Sequence, residues 1–146
     1  MFTFTIDYLI LIILASIGVI QLGALYGGLK GLLFSKSIVF THFVGFSLPV
    51  TAFTWFFMTD SRNINDYAGG LDSNIQALLF FLGALTGWIL TTILSFIINI
   101  HMKRKDLSPF EGLDSLKKTN YFNALIFNLK YWRSNWRLQM KRYLLR

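Results

Sequence analysis

The sequence predicts an all-α integral membrane protein with three transmembrane helices and a cytoplasmic amphipathic helical tail. Of its 146 residues, 54% are apolar and only 14% are charged, whereas about a quarter of the residues in a soluble domain are charged. The charges are also segregated, because none falls within 8–29, 37–59 or 73–102. These windows hold 22, 23 and 30 residues, and a helix needs roughly 20 residues to cross a bilayer.

The three spans are predicted at about 8–33, 37–58 and 75–100. They form a membrane domain of residues 1–102, which precedes a basic helical tail of residues 103–146. The first span does not resemble a cleavable signal peptide, because no basic residue precedes it and its apolar stretch is too long. We therefore expect it to remain in the mature protein. The absence of cysteine excludes disulfides and thiol chemistry.

The basic residues predict the orientation of the chain. Lys30 and Lys36 flank the first turn, and eleven more Lys and Arg follow His101, so thirteen of the fourteen lie on one side and Arg62 is the exception. Basic residues in short loops are retained in the cytoplasm. We therefore expect an outer N-terminus and a cytoplasmic C-terminus in a prokaryotic plasma membrane, with the mitochondrial inner membrane as the alternative.

Two spans carry small residues at every fourth position. In the first span these are Gly23, Gly27 and Gly31, and small residues at this spacing let two helix backbones approach closely. Their partner is either the third span or another protein. The third span repeats the pattern with Gly83, Gly87, Thr91, Ser95 and Asn99.

Polar residues inside the apolar windows are the next candidates, because they are costly in a membrane unless they are paired. Gln21 is expected to form a hydrogen bond to another helix, with Thr92 or Thr51 as its partner. His42 and His101 lie near the same membrane face in two different spans. Two neutral imidazoles can ligate haem iron, so a b-type haem is the cofactor alternative to the expectation of none.

The tail predicts two helices. Ser108, Pro109 and Glu111 match a capping box for a short helix that runs to about Lys118, and Thr119 or Asn120 then caps a longer one. Along the longer helix a basic row borders an apolar face that carries two tryptophans, a pattern typical of helices that lie on anionic membranes. The membrane-facing or partner-facing residues are Lys130, Trp132, Arg133, Trp136, Arg137 and Lys141.

A groove in a partner protein and a solvated tail are the alternatives for this helix. Nucleic acid is not an expected partner, because the topology already explains the net charge of +7. The sequence shows no catalytic motif or metal-ligand spacing. We therefore expect a non-catalytic accessory subunit that packs with other membrane subunits and stabilises a larger complex, such as a respiratory or oxidoreductase complex. The alternatives are a haem- or quinone-binding anchor and a self-assembling homo-oligomer.

Overall fold

The computed structural model describes residues 2–59, 73–102 and 112–144, and this part of the chain is all-helical. Three of its α-helices are long and apolar enough to cross a membrane, which confirms the predicted fold class at that level. The predictions for residues 60–72, for Lys103–Lys105 and for the capping box at Ser108 lie outside the described residues. The α-helices are α1 (Phe2–Tyr26), α2 (Ile38–Thr59), α3 (Ser73–Ile98) and α4 (Tyr121–Leu144).

α1 is the central helix of the three apolar helices. It packs along one side against α2 and along the other against α3, while α2 and α3 share at most marginal contact with each other. Buried side chains of α1 and α2 form one apolar cluster, made of Leu11, Ile12, Ala52 and Phe56. Much of the surface of α2 and α3 therefore stays exposed, as expected for helices that face lipid.

α1 ends at Tyr26, seven residues before the predicted end of the first span at Leu33. Gly28 has a left-handed backbone conformation with φ of 66°, and the N–H of Leu29 donates to the carbonyl of Ala24 at 2.8 Å. These features define a Schellman motif, which terminates a helix at glycine. The predicted boundary is wrong because hydrophobicity continues past the point at which the backbone reverses.

The connection between α1 and α2, residues 27–37, folds back against the helices. It contains a short 3₁₀ helix, Lys30–Leu32, whose Gly31 and Leu32 are buried. α2 then begins at Ile38, where the hydroxyl of Ser37 accepts a hydrogen bond from the N–H of Phe40 at 3.4 Å. We call the end of the apolar helices at which this connection lies the loop end.

α4 begins directly after Asn120, whose side-chain oxygen accepts the N–H of Asn123 at 2.9 Å. Of the two predicted capping residues, Asn120 is therefore the one that caps α4. A second 3₁₀ helix, Gly112–Lys117, precedes it. There the Lys117 ammonium donates to the Asp114 carboxylate at 2.7 Å, and this hydrogen bond holds the pKa of Asp114 below its ordinary value.

The start of the tail, residues 115–124, packs into the loop end of the membrane helices, and we call it the tail root. Ring contacts extend this packing along α3, since Tyr121 meets Trp88 edge-on at 5.9 Å between centroids and Phe122 meets Phe96 at 4.8 Å. The tail root therefore contacts α3 through aromatic rings, and it shares a buried core with α1 and the connection. The buried residues of this core are Ala24, Leu32, Leu33, Leu116 and Ala124.

Candidate functional site

Buried polar side chains gather at the loop end of the apolar helices. A buried polar group that lacks a hydrogen bond costs about 1–3 kcal/mol. Side chains with hydrogen-bond partners inside the protein therefore stabilise the fold, whereas side chains without such partners are candidates to bind a ligand. The carbonyl and amide groups of the connection supply many of these partners. We call the four side chains that join different segments the polar cluster: Gln21, Ser95, Asn99 and Asn120.

Gln21 holds the connection through both ends of its side-chain amide. Its Nε2 donates to the carbonyl of Leu32 at 2.9 Å, and its Oε1 accepts the N–H of Phe34 at 2.9 Å. The side chain is only 1% exposed. The predicted bond to Thr92 or Thr51 is therefore not the one that forms, because the chain turns back over Gln21 after α1.

Residues of α3 bind the same stretch of backbone from the other side. The hydroxyl of Ser95 lies 2.5 Å from the carbonyl oxygen of Thr91 and 2.7 Å from that of Leu32. When its one proton is donated to Leu32, that oxygen accepts from both α1 and α3. The Nδ2 of Asn99 donates to the carbonyl of Leu33 at 2.8 Å. Because a carbonyl oxygen has two lone pairs, the carbonyl of Leu32 can accept both of these hydrogen bonds at once.

The tail root joins the cluster through Asn120 and Gly31. The Nδ2 of Asn120 donates to the carbonyl of Asn99 at 3.3 Å. At Gly31 an added Cβ would collide with the carbonyl oxygen of Thr119 and lie 3.0 Å from the Cα of Asn120. Gly31 therefore serves contact with the tail rather than with another span, and the cluster fixes the connection, α3 and α4 to α1.

The small residues predicted in the third span lie buried in α3 against α1. A Cβ on Gly83 would lie 2.8 Å from the side chain of Ile12, and one on Gly87 would lie 2.8 Å from the Cβ of Ser16. The backbones of α1 and α3 therefore approach each other closely at these two glycines. Thr91 and Ser95 continue this face and are also buried.

The glycines predicted in the first span have different surroundings. A Cβ on Gly23 would meet no atom within 4 Å, and one on Gly27 would meet only the carbonyl of Gly23 and the side chain of Leu29. Neither glycine touches α3. The sequence analysis offered the third span or another protein as the partner of these glycines, and the structure does not show the third span in that role. Val19 precedes them at the same spacing and is 60% exposed. We call Val19, Gly23 and Gly27 the α1 stripe.

Two glycines that the sequence analysis did not single out carry the contact between α1 and α2. A Cβ on Gly18 would lie 2.5 Å from Cδ of Pro49 and 2.8 Å from the carbonyl oxygen of Gly45. A Cβ on Gly45 would in turn lie 2.5 Å from the side chain of Leu22. The sequence could have identified Gly45 from its position one helical turn before Pro49 on the same helix face. Gly18 belongs to no glycine repeat, so no such pattern identifies it.

His42 lies in α2 and His101 follows α3, and α1 packs between those two helices. The Nδ1 of His42 is 3.0 Å from the carbonyl of Ile38, and its Nε2 is 3.3 Å from the hydroxyl of Tyr26. Both ring nitrogens of His42 are thus within hydrogen-bond distance of protein groups. His101 follows α3 and is exposed. The haem interpretation stays a prediction.

Beyond its root, α4 exposes Trp132, Arg133 and Trp136. Leu129, Trp132, Arg133 and Trp136 line a shallow groove of about 370 Å³. Lys130 is exposed nearby, while the side chains of Arg137 and Lys141 lie outside the described part of the structure. No protein-family model, curated protein or solved structure matches this chain.

Proposed function

We propose that this chain is a non-catalytic structural subunit that packs into a larger membrane complex and stabilises it. The contact surface is the α1 stripe, and its partner is a transmembrane helix of another subunit. The observation that carries this proposal is the exposure of Gly23, beside which the described chain leaves open space.

The argument compares the α1 stripe with the other small residues of the chain. Small residues in membrane helices gain stability when a second helix packs against them, because the two backbones then make close dispersion contacts. Gly18, Gly83 and Gly87 each have such a neighbour within the chain. Gly23 has none among the described residues, although a glycine inside a helix costs about 1 kcal/mol relative to alanine. A helix from another subunit would supply the contact that offsets this cost.

The polar cluster supports a role in holding rather than in reacting. Gln21, Ser95 and Asn99 bind backbone carbonyls or amides of the connection. These bonds join α1 and α3 through the connection, and the bond from Asn120 to the carbonyl of Asn99 adds the tail root to the same rigid end. A rigid end suits a subunit that presents fixed surfaces to its neighbours.

The proposed orientation places the loop end and α4 in the cytoplasm. Lys30 and Lys36 belong to the loop end and most other basic residues belong to the tail, and basic residues in short loops are retained in the cytoplasm. The exposed Trp132, Arg133 and Trp136 then meet anionic lipid at the membrane surface or a partner on the cytoplasmic side.

Site-specific photo-crosslinking in intact cells tests the proposal. A photoreactive residue at Val19 should crosslink to a second, different membrane protein, whereas one at Ile89, an exposed position of α3, should not capture that protein. Adding Gly23→Leu to the Val19 probe should abolish the crosslink, because the leucine fills the groove. Equal capture from Val19 and Ile89 would contradict the proposal, and capture of a second copy alone would favour the homo-oligomer.

A further inference from the structure

A cleft of about 610 Å³ opens at the loop end, between the ends of the three apolar helices. Leu25 in the last turn of α1, Ile38 at the start of α2 and Met102 after α3 contribute apolar lining. Since these residues mark the ends of helices that can span a membrane, the cleft lies at the depth where hydrocarbon gives way to lipid headgroups.

The polar lining of the cleft is basic. Lys30 and Lys36 come from the two halves of the connection, with Ser35 between them in sequence. No acidic side chain is among the described residues that line the cleft. Neither lysine forms an ion pair within the described part of the chain. Among the described residues, neither ammonium group therefore has a carboxylate partner that an anion would have to displace.

From this combination we infer that the cleft binds one anionic phospholipid of the adjoining leaflet. The phosphate lies between Lys30 and Lys36, and the glycerol and upper acyl chains lie against Leu25, Ile38 and Met102. The volume is within the range of about 300–1,000 Å³ that is usual for small-molecule sites. Free inorganic phosphate would leave the apolar lining unused, and a zwitterionic lipid would bring a cation to two lysines.

The bound lipid would support the connection from the side of the cleft, next to the polar cluster. Asn99 belongs to both, since it lines the cleft and donates to the carbonyl of Leu33. The lipid would therefore fill the space beside the bonds that fix the connection. This inference does not depend on the α1 stripe, because none of Val19, Gly23 and Gly27 lines the cleft.

Native mass spectrometry of the full chain in mild detergent tests the inference, with phosphatidylglycerol, phosphatidylcholine and inorganic phosphate as separate probes. The wild type should retain one phosphatidylglycerol in preference to phosphatidylcholine. Lys30→Gln together with Lys36→Gln should weaken that binding by about 30-fold, because each lysine near an anionic headgroup contributes about 1 kcal/mol. Ile38→Glu, which keeps both lysines and changes an exposed position, should weaken it as well.

The matched control removes the same charge from the tail. Lys117→Gln together with Lys118→Gln, two exposed lysines of the tail, should leave retention of the single phosphatidylglycerol unchanged, and a thermal melt of every variant checks that it is folded. Unchanged retention in the Lys30 and Lys36 variant would overturn the inference. So would loss of retention in the tail variant, or inorganic phosphate that competes as well as the lipid.

Discussion

At the scale of single residues, the loop end depends on side chains that bind backbone groups. Gln21 has no aliphatic substitute, because the same amide must donate to Leu32 and accept from Phe34. Its importance is visible in the sequence as an amide within an apolar window. Its partners are not, because the sequence places Leu32 within the same predicted span and Phe34 directly after its end.

Gln21→Leu should lower the stability of the purified protein by about 1–3 kcal/mol, since the N–H of Phe34 would lose its acceptor in a buried place. Thermal unfolding in detergent measures this. Ile10→Leu, an apolar exchange at an exposed position of the same helix, is the control. A Gln21→Leu variant as stable as this control would show that the amide does not hold the connection.

Two glycines of α1 provide a second test at this scale. Gly18→Ala should destabilise the protein by about 1–3 kcal/mol, because the new methyl group meets the ring of Pro49 and the backbone of Gly45. Gly23→Ala should leave the isolated chain equally stable or raise its stability by up to about 1 kcal/mol. The same unfolding measurement applies, and equal effects of the two variants would contradict the packing described for α1.

At the scale of elements, the α3 face could be predicted and the end of α1 could not. Gly83, Gly87 and Thr91 recur every four residues along an uninterrupted helix, so the sequence alone places them on one face. The end of α1 depends instead on Gly28 adopting a left-handed conformation, which glycine permits at many positions without requiring it. Hydropathy therefore places the end of the first span too far along the chain.

The contact between the connection and the tail root gives a prediction for these elements. Gly31→Ala should detach the root, because its methyl group would occupy the place of the Thr119 carbonyl. Hydrogen exchange of the amides of residues 121–124 should then accelerate at least severalfold, while exchange within α3 stays slow. Gly23→Ala serves as the control. Unchanged protection of the α4 amides in the Gly31 variant would refute this role of Gly31.

At the scale of the whole molecule, α1 connects everything else. It packs on α2 and α3, and near its end Ala24 belongs to the buried cluster that includes residues of the tail root. The composition predicts three spans and a basic tail, because segregation of charge is a property of the whole sequence. It does not predict that the tail root packs against the spans, because the buried cluster that joins them combines Ala24 with Leu116 and Ala124, which lie about a hundred residues further along the chain.

The central claim is that the α1 stripe holds this chain in a larger complex. Its most direct test is the native mass of the tagged protein after purification in mild detergent, compared between the wild type and Gly23→Leu. The account predicts that the wild type carries other membrane subunits and that Gly23→Leu, inserted and folded as well as the wild type, is recovered without them. Equal recovery of those subunits with both proteins, or a wild type that purifies alone, would contradict it.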